Sequence, residues 1–70
     1  MTIIRWEEGS LIRTETGEGE VTISANREGL LSLANILTEL AEGVPGDHVH
    51  LDEHNSLEAG SAELILERIR

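Results

Sequence analysis

The sequence runs to 70 residues, sets 14 acidic side chains against 5 basic ones for a formal net charge of −9, and contains no cysteine. A chain this short buries only about 60% of the surface that its unfolded form exposes. Residues 1–70 are therefore expected to form one small domain around a thin core, with no disulfide to reinforce it. Binding a polyphosphate backbone requires clustered cations, and Arg5, Arg13, Arg27, Arg68 and Arg70 are scattered among acids, which argues against nucleic acid as a direct ligand.

Near the start, Ile3, Ile4 and Trp6, then Leu11 and Ile12, flank Glu7-Glu8-Gly9-Ser10, a pattern that predicts two short strands about a turn. Thr16-Gly17-Glu18-Gly19 lacks periodicity and reads as a loop. Glu20 to Ser24 then alternates, with Val21 and Ile23 on one face of a third strand or of an extension of the second. From Asn26 to Ala41 the spacing becomes helical, and Leu30, Leu33, Ala34, Leu37, Leu40 and Ala41 fall on one side. Leu31 and Ile36 lie on opposite flanks, where they widen the buried stripe or leave one residue for a partner. Ser24 or Asn26 can cap this helix, and Gly43 with Pro45 supplies a left-handed stop and a block to continuation.

Asp47 to Asp52 alternates again, turning Val49 and Leu51 inward. Glu58-Ala59-Gly60-Ser61 reads as a turn, and Glu63 to Arg70 as a closing strand, with Arg68 and Arg70 placed to pair with Glu63 or Glu67. The order strand-strand-(strand)-helix-strand-strand gives an α+β domain, one helix on a single antiparallel sheet of about four to five strands. The uncovered sheet face or the last edge strand would then suit a homodimer or another partner. Trp6, the sole aromatic residue, is expected to anchor the core, an exposed contact residue being the alternative. Met1-Thr2-Ile3-Ile4-Arg5 has no long apolar run of the kind a secretory leader carries, and no apolar run approaches the roughly 18 residues of a membrane span. These features, with the absence of cysteine, read as a soluble cytoplasmic protein.

Four metal-capable side chains, His48, His50, Asp52 and His54, recur at two-residue spacing. On a strand they would share a face at intervals of about 6.6 Å, so His48 and His50 could reach one ion, with Asp52 and His54 joining only if the chain bends. A small metal-stabilised domain is therefore the alternative reading of this segment. The run is similar to the His-x-His-x-Asp-His motif of metallo-β-lactamase-like hydrolases, but its last histidine comes one residue late and the chain is far too short. A solvated strand face with histidines beside acids is the simpler account. No Gly-x-Ser-x-Gly turn, cysteine nucleophile or phosphate cradle is present, and the adjacent carboxylates point to opposite strand faces. The sequence thus reads as that of a binding protein, not an enzyme, with no cofactor.

Val44-Pro45-Gly46-Asp47-His48-Val49-His50-Leu51-Asp52 and Ser56-Leu57-Glu58-Ala59-Gly60-Ser61-Ala62-Glu63-Leu64-Ile65, preceded by the Leu30-Leu31-Ser32-Leu33-Ala34 helix, resemble the immunity protein 32 family of bacterial polymorphic toxin systems. The resemblance implies a small α+β protein that protects its maker by binding a cognate toxin, and makes His48, His50, Asp52, Ser61 and Glu63 the motif positions. Many toxins of such systems attack nucleic acid through a basic cleft, which an acidic domain could plug. Glu53, Glu58 and the acids between Glu15 and Glu20 are then expected to contribute beside Asp52.

Overall fold

The computed structural model describes residues 5–70 and contains β1 (Ile12–Gly17), β2 (Glu20–Ala25), α1 (Arg27–Glu42), β3 (His48–Leu51) and β4 (Leu64–Glu67). The α+β class and the position of the helix between strand pairs agree with the sequence pattern. The single sheet does not: β1 pairs with β2 and β3 with β4 in two separate antiparallel sheets. Ile3 and Ile4 lie outside the described residues, whereas Arg5 to Leu11 is irregular apart from a turn at Glu8-Gly9.

The stretch read as a loop is a tight hairpin turn. Glu18 and Gly19 both have positive φ, 26° and 84°, the pairing that matches the twist of the flanking strands in a two-residue turn. Gly17 faces Glu20 across it, and the register continues through Glu15↔Thr22 and Arg13↔Ser24. In an antiparallel ladder, residues that exchange hydrogen bonds alternate with residues whose backbone groups point away. With Gly17 and Glu20 closing the turn, Ile12 and Thr14 point outward from β1, and Val21 and Ile23 point outward from β2. The β1 groups are met: Glu58 N–H donates to Ile12 O at 2.8 Å and Ala62 N–H to Thr14 O at 3.1 Å. Residues 58–62 thus stitch the two sheets together. The turn at Gly60, φ 86°, keeps them from forming a continuous ladder, which is why the expected single sheet is broken.

Asn26 caps α1 and also ties it to the strand before it. Its Oδ1 accepts from Gly29 N–H at 2.7 Å and from Leu11 N–H at 3.0 Å, while its Nδ2 donates to Gly9 O at 2.9 Å. At the other end Gly43 is not in the left-handed region, having φ −87°. A Cβ there would meet the Asp47 carboxylate, whose Oδ2 accepts from Val44 N–H at 3.0 Å, so any larger residue would displace that side chain from its hydrogen bond. Arg68, expected to pair with an acid across the strands, donates instead from Nη1 to Ala41 O at 3.0 Å and Gly43 O at 2.8 Å. It satisfies carbonyls that the helix end leaves open.

The core consists of Ile12, Leu33, Ile36, Leu51 and Leu57, with Ala25, Leu40, Val49, Leu64 and Leu66 packed against it. Its helical stripe is rotated by about a quarter turn from the expected one: Ile36 is fully buried, whereas Leu30 and Leu37 are 55% and 53% exposed and Ala34 and Ala41 face solvent. The closest approach explains the rotation. Gly29 sits directly against the Leu11 carbonyl oxygen, with Ile12 Cγ1 and Ala25 Cβ 2.9 and 3.0 Å from where its Cβ would be, and Ser32 follows one turn on, fully buried. These small residues let the helix descend onto β1 and turn its leucine-rich flank outward. Trp6 is likewise outside the core, at 42% exposure, beside a shallow groove lined by Glu7, Ser10, Asn55 and Ser56. Among the described residues no helix is long and apolar enough to cross a membrane.

Candidate functional site

The sequence motif divides into two groups with different surroundings. Along β3, Val49 and Leu51 turn inward, so period-two alternation turns His48 and His50 to the outer face. There they stand opposite Glu67 and Ile65 of β4. The two imidazoles meet edge to face, with ring centroids 5.1 Å apart. His50 Nδ1 lies 3.1 Å from Glu63 Oε2, and His48 Nδ1 lies 3.0 Å from Gly46 O. His50 and Glu63 remain about half exposed, so their contact contributes little to stability and leaves both reachable by a partner.

Asp52, Glu53 and Ser61 are occupied in holding the 52–62 loop. The Asp52 carbonyl accepts from the N–H groups of Asn55, Ser56 and Leu57, while Oδ1 of its side chain accepts from His54 N–H at 2.8 Å. Asn55 Oδ1 closes the turn by accepting from Asp52 N–H. Glu53 Oε2 accepts from Gly60 N–H at 2.7 Å. Ser61 Oγ accepts from the N–H of buried Thr14 at 3.2 Å, and Thr14 Oγ1 donates back to Ala62 O. Leu57 is thereby placed in the core. Glu58 is half-buried and lines a groove with Arg13, Ser24 and Asn26.

The stability consequences separate the two groups. Ser61→Ala leaves a buried backbone donor unpaired and is expected to cost about 1–2 kcal/mol, whereas His50→Ala should stay within about 0.5 kcal/mol of the parent. Chemical denaturation of both variants measures the difference.

The chain turns after Asp52, but the turn does not gather a four-ligand metal site. Among the described residues no three histidine, aspartate or glutamate side chains come together to hold an ion. The Asp52 side chain is committed to its turn, and His54 is 86% exposed, its Nε2 3.9 Å from Glu53 Oε1. The His48–His50 pair therefore stands on a solvated strand face.

The remaining acids of interest, Glu15, Glu18 and Glu20, all lie exposed on the distal half of the β1–β2 hairpin. Among the described residues no cation pairs with them there, and Arg13, at the hairpin base, donates to Ala59 O at 3.2 Å. Thr14, Ser32 and Leu57 escaped the sequence reading. The first two are polar residues in half-polar contexts, and Leu57 stands alone in a polar run, so none carries a periodic signal.

Comparison with known proteins gives one positive result. The model of the family described as Immunity protein 32 matches residues 20–69, from the start of β2 through the end of β4. No match was found among curated proteins or among solved structures.

Proposed function

The chain belongs to the immunity protein 32 family, and on that premise we propose that it neutralises a cognate bacterial protein toxin by binding it in the cytoplasm, without catalysis. Charge is the observation that supports a basic partner: at −9 over 70 residues, the domain attracts positively charged surfaces over several ångströms and speeds encounter with them. A nuclease-type toxin, which needs a basic cleft for its own substrate, is the partner this charge suits best. Binding then blocks the cleft sterically and electrostatically.

The contact surface in this reading takes in exposed His48, His50 and Glu63, with Glu53 and Glu58 at its margin. Asp52 and Ser61 support it by fixing the loop from below. The metal-stabilised alternative is not favoured by any grouping of ligands among the described residues.

The test is co-expression with the protein whose reading frame adjoins this one, scored by growth, together with the affinity of the purified pair at several salt concentrations. Wild-type chain should restore growth, and affinity should fall as salt rises. Replacing Glu58 and Glu63 by lysine is expected to weaken binding about 10- to 100-fold at low salt and to flatten the salt dependence. Unchanged affinity and slope would overturn the electrostatic account, and absence of both rescue and binding would overturn the function.

A further inference from the structure

Val21 and Ile23 belong to neither the core nor the motif, yet they are 71% and 41% exposed. Both lie on the side of the hairpin that carries Ile12 and Thr14, the inward side at its base. The helix covers only that base, where Ala25 packs against the core, so the hairpin projects past its support and carries an apolar face with it.

The same two residues carry the open backbone groups of the sheet. Register places Val21 opposite Thr16 and Ile23 opposite Thr14, the positions between the hydrogen-bonded pairs, so their N–H and C=O groups point away from β1. On β1 the equivalent groups are taken by residues 58–62. On β2, among the described residues, nothing takes them. An edge strand with free backbone groups and apolar side chains is normally blunted by lysine, proline or a bulge; here the strand is regular, and its only charged residue is Glu20.

We infer that the free edge of β2, at Val21 and Ile23, is where the toxin docks, by adding a strand of its own to the β1–β2 sheet. This rests on the toxin-binding reading above and adds to its His48, His50 and Glu63 surface a second contact, on the other sheet. Charge decides the occupant. Glu15, Glu18 and Glu20 surround the projecting half of the hairpin with no cation among them, so an incoming strand is favoured if lysine or arginine flanks its apolar residues. A second copy of this chain would bring the same acids and a further net charge of −9 to the same place, which disfavours self-pairing. Backbone hydrogen bonds would supply affinity and the apolar side chains register, as in other strand-addition complexes.

The test uses the purified protein of the adjoining reading frame as the probe, with hydrogen exchange read residue by residue. In the free domain the Val21 and Ile23 amides should exchange far faster than those of Thr22 and Ser24, and in the complex they should slow by at least an order of magnitude. Val21→Lys with Ile23→Lys, at exposed positions where the fold tolerates charge, should lower affinity at least 30-fold while leaving the circular dichroism and melting temperature unchanged. Protection appearing on His48, His50 and Ile65 instead, with the double variant binding normally, would overturn the docking site and leave toxin neutralisation standing. Failure of the wild-type chain to bind would overturn both. Slow exchange at Val21 and Ile23 in the free protein, lost on dilution together with a dimer in sedimentation, would assign the edge to self-association and overturn the inference.

Discussion

Ile36→Ala is expected to cost about 3 kcal/mol, a loss that should bring the domain close to unfolding at growth temperature. Ile36 is fully buried and lies at the centre of the face that α1 turns to the core, among Ile12, Leu33, Leu51 and Leu57. Truncation removes the transfer free energy of three carbons and leaves a cavity that a rigidly stitched β1 cannot collapse into. At about 0.05–0.15 kcal/mol per residue, a domain of this length has only about 4–10 kcal/mol in total. Leu37→Ala, one position along the same helix, is the matched control: at 53% exposure its loss should stay below about 1 kcal/mol. Urea denaturation of the two variants reads the contrast. Similar midpoints would mean that the helix is rotated differently from the arrangement described.

Gly29→Ala should also destabilise, by about 2 kcal/mol net, although alanine is the better helix former. On an exposed helical face the exchange would gain about 1 kcal/mol. At this position the added Cβ would overlap the Leu11 carbonyl oxygen and press on Ile12 and Ala25, and backbone atoms cannot move aside as a flexible side chain could. Overpacking of that kind costs typically about 1–3 kcal/mol, occasionally more, so the sign reverses. The same strain would pull Gly29 N–H from Asn26 and loosen the cap shared with Leu11. Gly17→Ala, where no atom lies within contact distance of the new Cβ, should show no such penalty in the same melting experiment.

These two positions also mark where the sequence was legible and where it was not. The helix, a cap at Ser24 or Asn26, the alternation of β3 and the inward Val49 and Leu51 were readable, because each depends on local period or capping chemistry; the structure chooses Asn26. Which side of α1 is buried depends on what it packs against. Counting leucines selected the stripe through Leu30 and Leu37, whereas the close approach at Gly29 and Ser32 selects the one through Ile36. A glycine in a helical pattern reads locally as a weakness, and its meaning as a contact point appears only once Leu11 is placed opposite. The hairpin turn is hidden for a related reason: Thr16-Gly17-Glu18-Gly19 has no periodicity and so reads as a loop, and Glu18 is an unusual residue type at positive φ.

The proposed binding surface was half legible. Strand period correctly turned His48 and His50 outward. Asp52, Glu53 and Ser61 look equally available in the sequence, but their side chains serve the 52–62 loop, because a turn that joins two sheets leaves backbone donors for someone to satisfy. The exposed edge of β2 had no signature at all, since Val21 and Ile23 alternate exactly as buried strand residues do.

The stitching of β1 by residues 58–62 also bears on how the protein comes off the ribosome. The β1–β2 hairpin is local and closes within about 1–10 μs once free to do so, but Thr14 must wait for Ser61, 47 positions later. At about 5–20 residues per second, several seconds pass before residues 58–62 exist to take the Ile12 and Thr14 carbonyls, and during that time the acidic tip of the hairpin repels neighbouring chains. The charge on Glu15, Glu18 and Glu20 thus sets newly made hairpins apart from one another before the rest of the chain has folded.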